Sequence, residues 1–580
     1  MNSAAQSFGT APSWISASPL WRKFTLSARS GGRRMAGVMN GWKLAVGVAA
    51  LLAPTVASAQ TRPAPQLIVV IAVDQFSADI FAEYRGLVHG GLARLAQGVV
   101  FPAGYQAHAA TETCPGHSTI LTGSHPARTG VIANNWFDLG IARADKKIYC
   151  AEAPDVPGTE SGGGKYAPSV THLLTPTLGD LMKARDPRTR VIAVAGKDRA
   201  AIMMAGKRAD EVLWLAPTGL ASYRGVTLLP MAQQAATAIA GVIAAPGRPL
   251  DLPIQCLDRD VAIALPQGGA VGTGRFARPA GNFRAFLASP QADGAVLAAA
   301  AALRADRKLG EGAATDLLII GLSATDYVGH AFGTGGAEMC QQILSMDRDL
   351  GDFFARLDAT GIDYAVALTA DHGGHDLPER LVQNAIPAER VDPALAPSAL
   401  GKTVAAKLGL AEPLLYGDAP FGDYYLSRAL TAAQRTAAIS EIRARLSAHR
   451  QVEAAFTADE LAAHPVSRRS PELWSVKDRM RASFHPARSG DLVVALKPRV
   501  TPIPEPGVGY VATHGSVWDY DRRVPMLFWR KAMAGFEQPA PVMTVDILPT
   551  LAALIGLPVD TAAIDGRCLD LISGTATSCP

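Results

Sequence analysis

Five short apolar runs punctuate the chain, and polar residues able to hold a metal ion or an anion follow each of them. The runs are QLIVVIAV (Gln66–Val73), RVIAVA (Arg190–Ala195), DLLIIGL (Asp316–Leu322), YAVALTA (Tyr364–Ala370) and DLVVALK (Asp491–Lys497). Their length and β-branched content predict buried strands. Ala- and Leu-rich stretches of helical character lie between several of them, as at 293–307 and 339–359. Strands alternating with helices predict an α/β fold, a largely parallel sheet with helices on both faces. In such sheets ligands gather beyond the carboxyl ends of the strands. Those ends carry Asp74, then Lys197-Asp198-Arg199, then Asp326 and His330, then Asp371-His372; His514 follows the fifth run after a Pro-rich connector.

The rhythm breaks between residues 376 and 490. Helical text (Thr431–Arg450) and Pro/Ser punctuation there predict an inserted cap over the active edge of the sheet, with the catalytic core expected over 60–375 and 491–580. A second, loop-like insertion is expected over 137–176, and VDILPTLAALIGLP (Val545–Pro558) reads as a closing helix ended by Gly556.

Residues 1–59 read as leader and signal peptide. Lys43 precedes the apolar stretch Leu44–Val56, and Ala57-Ser58-Ala59 forms a small-residue cleavage pattern, so cleavage is expected after Ala59. The polar segment before it fits an upstream start codon, with Met35 or Met39 as the true start; Arg33-Arg34 leaves a twin-arginine signal open. The apolar stretch has 13 residues, short of the ~20 a membrane span needs. The mature chain is expected to be periplasmic or secreted, without stable membrane insertion, and monomeric. Its net charge of +4 is spread thinly, with no basic stripe interleaved with aromatics, which argues against a nucleic-acid partner. Six well-separated cysteines with no Cys-x-x-Cys pair argue against a cysteine-based zinc site and for disulfides, Cys568–Cys579 being the first pair expected.

The polar residues fall into chemical patterns. Asp326-x-x-x-His330 puts a carboxylate and an imidazole on one helical face. In Asp371-His372 adjacent residues can face one ion only where the chain leaves the strand, and Gly373-Gly374 permits that. With Asp74 and His514 the set offers three carboxylates and three imidazoles, a mixed oxygen and nitrogen donor set that suits zinc. TETCPGHST (Thr111–Thr119) looks like the neighbourhood of a nucleophile, and Thr111, Thr113, Cys114, Ser118 and Thr119 all remain open as the attacking group.

VDQFSAD, TETCPGHSTILTG, ANNWFD, GKDRAAI, SATDYVGH, TADHGGH and THGSVWDYDRRVPMLF occur in this order. Together they resemble the alkaline phosphatase superfamily, in its type I phosphodiesterase/nucleotide pyrophosphatase branch, and within it the threonine-nucleophile, Sphingomonas-type alkaline phosphatases. The resemblance implies hydrolysis of phosphate monoesters with two Zn2+ ions and a covalent phosphothreonine. It implies Thr113 as nucleophile, presented by the Pro115-Gly116 turn at a helix N-terminus whose N–H groups can face phosphate. Asp74, Asp371, His372 and the Thr113 oxygen are implied as ligands of one zinc, and Asp326, His330 and His514 as ligands of the other. Asn134 is implied as the amide that holds a phosphoryl oxygen, with Asn135 as the alternative, and Lys197 and Arg199 as a pair found in monoesterase members. Two cations suit a monoester dianion better than a diester monoanion, although secondary diesterase activity is expected. His117 is expected to orient the nucleophile loop and His375 to stand behind the ligands. A nucleotide phosphodiesterase or pyrophosphatase, and a non-catalytic zinc or phosphate binder, are the rival readings. A sulfatase is disfavoured because Pro115 directly follows Cys114, which breaks the Cys-x-Pro-x-Arg frame.

Overall fold

The computed structural model describes residues 63–161, 165–507, 509–574 and 577–580. The expected leader and signal peptide, 1–59, lie outside the described residues. Ala64–Pro580 form one compact unit. No helix among the described residues is long and apolar enough to cross a membrane.

Four of the five apolar runs build the middle of one large sheet. β1 (Leu67–Val73) is buried along its whole length. β6 (Asp316–Leu322) and β7 (Tyr364–Thr369) flank it in parallel register, Leu67 opposite both Asp316 and Tyr364. β3 (Val191–Ala195) continues in parallel beyond β6, and β4 (Glu211–Ala216) beyond β3. β5 (Gly219–Ala221) closes that edge in antiparallel fashion. On the other side of β7 the sheet turns antiparallel through β12 (Arg523–Arg530) and β2 (Val99–Tyr105). Two short strands, β13 (Phe536–Glu537) and β14 (Val542–Met543), complete it against β2, giving the order β13-β2-β12-β7-β1-β6-β3-β4-β5.

Alternate residues of β1 face opposite layers, yet all are buried. Ile68, Val70 and Ala72 join one hydrophobic layer with residues of α1 (Thr113–Ile120) and α2 (Asp198–Ala205). α3 (Pro290–Asp306) packs on β6 and on α5 (Ala337–Asp358), and α5 packs in turn on α4 (Ala324–Phe332). The expected closing helix forms over Ile547–Leu554, and Gly556 takes the left-handed conformation just past its end, φ 62°.

The strand expected over Asp491–Lys497 forms, but not in this sheet. It is β11 (Leu492–Leu496) of a smaller antiparallel sheet with β8 (Leu415–Tyr416), β9 (Gly422–Leu426) and β10 (Val452–Thr457), in the order β8-β9-β11-β10. The smaller sheet thus reaches past residue 490. Leu492, Val494 and Leu496 pack with residues of the helices Pro397–Leu408 and Ala432–Ala448. Val493 and Ala495 pack on Ala109, Met480, Phe484 and Val517. A strand buried on both faces has the same apolar text in either sheet. His514 accordingly does not leave a strand of the large sheet; it lies on the segment that leads from the smaller sheet to β12. The cysteines pair as Cys114–Cys150, Cys256–Cys340 and the expected Cys568–Cys579.

Candidate active site

The parallel strands β7, β1, β6 and β3 are consecutive neighbours, so their carboxyl ends form a row, and Asp371, Asp74, Asp326 and Lys197 stand along it. Thr113 is the first residue of α1 and is 1% exposed. The helix lies hard against the end of β7. A Cβ on Gly116 would come within 2.0 Å of the Asp371 carbonyl oxygen, a backbone atom that cannot give way. Lys197 Nζ lies 3.3 Å and Arg199 Nη2 3.5 Å from Thr113 Oγ1. Asn134 turns its Oδ1 inward to accept the Cys114 N–H at 2.8 Å. Of the N–H groups expected to face phosphate at this helix start, those of residues 114 to 116 are engaged or missing. Cys114 donates to Asn134, Pro115 has no N–H, and the Gly116 N–H donates to the Glu112 carbonyl. Asn135 points elsewhere, its Nδ2 donating to Asp418 Oδ2 at 3.0 Å.

Two compact donor groups stand beside Thr113: Asp326 with His372 and His514, and Asp74 with His117 and Asp371, each group offering atoms that lie within 4.8 Å of one another. His330 joins the first, its Nε2 3.3 Å from Asp326 Oδ1. His372 Nε2 reaches both groups. It is 3.5 Å from Asp74 Oδ1 and 3.3 Å from Asp371 Oδ2, while its ring stacks on His514 with centroids 3.6 Å apart.

The imidazoles are prepared as ligands. Nδ1 of His330, His372 and His514 each lies 2.8 Å from a backbone carbonyl, of Ala512, Gly373 and Thr111 respectively. A carbonyl only accepts, so Nδ1 carries the proton and Nε2 presents a lone pair to the carboxylates, the orientation a metal-binding histidine needs. Burial pushes His372 down to about 3 and lowers His514 as well. His117 differs. Its Nδ1 faces the Thr113 carbonyl at 2.9 Å and Asp371 Oδ2 at 3.1 Å. The carbonyl again demands the proton on Nδ1, so the nitrogen that lies near Asp371 has no lone pair to present. It holds the start of α1 beside Asp371.

The carboxylates need a cation. Burial and the neighbouring Asp371 push Asp74 upward. Burial also opposes the charge on Asp371, but His372 and His117 outweigh it and hold that carboxyl well below the ordinary range. Asp74 Oδ1, Asp371 Oδ2 and His372 Nε2 are buried and make no hydrogen bond. Free carboxylate oxygens on buried Asp74 and Asp371 beside the free His372 nitrogen fit a divalent metal. Lys197 Nζ contributes positive charge, 2.7 Å from Asp74 Oδ2 and 2.5 Å from Asp326 Oδ2. Burial works against that charge, but the two carboxylates raise Lys197 above its usual range.

Several supporting residues escaped the motif reading. Gln75 takes a left-handed conformation at the end of β1, φ 62°, and donates its N–H to Asp371 Oδ1 and its Nε2–H to Asp326 Oδ1. Asp293 accepts the Ala324 N–H at 2.9 Å and the Gln342 amide at 2.8 Å, fixing the start of α4, which carries Asp326 and His330. His375 stands aside, its Nδ1 on the Asp376 carbonyl and its ring edge-on to Tyr520.

The type I phosphodiesterase/nucleotide pyrophosphatase family profile matches residues 68–517. Alkaline phosphatase PhoK of a Sphingomonas species is 57% identical over 522 residues, 89% of this chain and 92% of that one. Alkaline phosphatase PhoD of Zymomonas mobilis is 48% identical, covering 90% of this chain and 92% of that one. The crystal structure of alkaline phosphatase PafA shares the fold, with a TM-score of 0.76 at 24% identity over 88% of this chain and all of that one. The family profile spans more than half of the chain and the 57% identical relative is matched over nearly its whole length, and the chain belongs to the type I phosphodiesterase/nucleotide pyrophosphatase family.

Proposed function

We propose that the chain is an exported alkaline phosphatase that hydrolyses phosphate monoesters with two zinc ions and a covalent phosphothreonine at Thr113. The observation that carries this reading is the buried Thr113 hydroxyl, which has two cations within 3.5 Å and a cluster of metal-competent donors beside it. The names of the 57% and 48% identical relatives support it.

Asp74, Asp371, His372 and Thr113 Oγ1 would hold one ion, and Asp326, His330 and His514 the other. A bound zinc pair supplies Lewis acidity at the attacking and leaving oxygens of an in-line displacement. Thr113 Oγ1 forms the bond to phosphorus as the bond to the ester oxygen breaks, and the alcohol departs. Water then attacks the phosphothreonine and releases phosphate and the free hydroxyl. Lys197 and Arg199 neutralise the phosphoryl oxygens while the Asn134 amide orients one of them, so the chain contributes chiefly position and charge. A monoester carries close to two charges above its second pKa of about 6, which these two cations match. A diester carries one charge and a second substituent where the cations stand, so its turnover is secondary.

The test measures p-nitrophenyl phosphate and bis-p-nitrophenyl phosphate hydrolysis on one sample of known metal content. The monoester is turned over faster, chelation abolishes activity, and zinc restores it. Faster turnover of the diester at saturating zinc would instead make the chain a phosphodiesterase, and stoichiometric phosphate binding without turnover would make it a binding protein.

A further inference from the structure

We propose that Tyr149 and Cys150, at the end of a short hairpin, form a positioning brace that sets Asn134 on one side of the phosphoryl group against Lys197 and Arg199 on the other. The proposal rests on the reading of those three residues as the phosphate-binding groups.

The hairpin pairs Asn135–Phe137 with Lys147–Tyr149. Asn134, just before it, is held at every hydrogen-bonding group but one. Its N–H donates to Glu112 Oε2 at 2.7 Å, its carbonyl accepts the Cys150 N–H at 3.0 Å, and its Oδ1 accepts the Cys114 N–H at 2.8 Å. Glu112 and Cys114 are the residues on either side of Thr113. The disulfide Cys114–Cys150 then joins the nucleophile helix covalently to the residue whose N–H holds the Asn134 carbonyl. The Asn134 amide is thereby registered to Thr113 through a closed loop of bonds, and Nδ2 is left as its working group.

Tyr149, the residue before Cys150 and the last of its strand, reaches the other arm. The Tyr149 hydroxyl lies 2.9 Å from both carboxylate oxygens of Asp198, and the Tyr166 hydroxyl donates to Asp198 Oδ2 at 2.6 Å. Asp198 separates Lys197 from Arg199 and opens α2. Holding its carboxylate fixes the turn from which both cations project. The brace is itself anchored. Buried Glu152 accepts the Tyr149 N–H at 2.8 Å and takes both Arg143 Nη1 and Nη2, at 2.9 and 2.7 Å. Two adjacent residues therefore fix the spacing between the amide arm and the cationic arm. Phosphoryl transfer is sensitive to that spacing, since a displacement of about 1 Å can cost a hundredfold in rate.

The experiment is a pair of double-mutant cycles on the metal-loaded enzyme. Cys114→Ala with Cys150→Ala removes the disulfide while keeping every backbone donor. It is expected to lower kcat/KM for p-nitrophenyl phosphate and weaken inhibition by inorganic phosphate about tenfold, with metal content unchanged. In an Asn134→Ala background the same pair is expected to change either quantity less than about twofold. Tyr149→Phe, which removes one hydroxyl and leaves the disulfide in place, tests the other arm should the cysteine pair prevent folding. Its loss on the monoester is expected to vanish in a Lys197→Ala, Arg199→Ala background. Equal losses with and without the phosphate-binding residue, in either cycle, would show a merely structural role and overturn the brace. Full activity of Asn134→Ala itself would overturn the underlying site reading, and the brace with it.

Discussion

The Thr113 hydroxyl lies where the two cations and the metal-competent donors meet, so on the proposed mechanism its removal separates chemistry from binding. Thr113→Ala is expected to lower p-nitrophenyl phosphate turnover at least about a thousandfold while two zinc ions remain bound; full activity of that variant would remove Thr113 from the mechanism. Lys197 and Arg199 make a different prediction, because their value depends on substrate charge. Lys197→Ala with Arg199→Ala should depress monoester kcat/KM far more than diester kcat/KM, and equal losses would show that the pair does not read the dianion. Residue by residue, the proposed ligands were legible because metal chemistry leaves spacing in the chain, as in Asp326-x-x-x-His330 and Asp371-His372-Gly373-Gly374. The choice of Thr113 among five candidate attackers came from the family frame, not from the run itself. Gln75, Asp293 and the tyrosines on Asp198 left no such trace. Their partners are backbone groups or residues tens to hundreds of positions away, and such bonds impose no local pattern.

At the scale of elements, β1, β3, β6 and β7 could be read from the sequence because each is a short β-branched run buried on both faces. The same property hid the membership of β11, whose second face is covered by Ala109, Met480, Phe484 and Val517 rather than by helices of the large sheet. The excursion between α-helical segments at 244 and 283 presents a separate case. It carries little regular structure, and Ile254 and Leu257 on it are exposed, so few apolar contacts hold it. Cys256 ties it to Cys340 on α5 across 84 residues. Closing a loop of that length restricts the unfolded chain. Cys256→Ala with Cys340→Ala is therefore expected to lose about 2–4 kcal/mol of stability, read from urea unfolding, with turnover of p-nitrophenyl phosphate unchanged at 25 °C. A loss of bound zinc in that variant would show that the tether also shapes the metal site.

Across the whole molecule, the region of the smaller sheet is joined to the catalytic core at a seam that carries a titratable group. Arg488, just before β11, donates to the carbonyl of His172 at 2.8 Å and also to that of Gly130, and its guanidinium lies 5.4 Å from the Trp136 ring centroid. The His172 ring meets Trp136 edge-on at 4.9 Å. Burial, and then the charges of Arg488 and Arg143, push His172 down to about 4. In the unfolded chain its pKa returns to about 6.5. Between those values the unfolded state binds a proton that the folded state refuses, so this contribution to stability is complete above about pH 6.5 and is lost as the pH falls toward 4. At pH 5 the loss from this one histidine amounts to about 2 kcal/mol. Other buried groups titrate in the same range, which is why the total curve cannot isolate it, whereas a comparison with His172→Gln can. Urea unfolding of both proteins at pH 7.5 and pH 5 should show wild type losing about 2 kcal/mol more than the variant over that interval. Equal losses would mean that the seam opens to water and leaves His172 with its ordinary affinity for a proton.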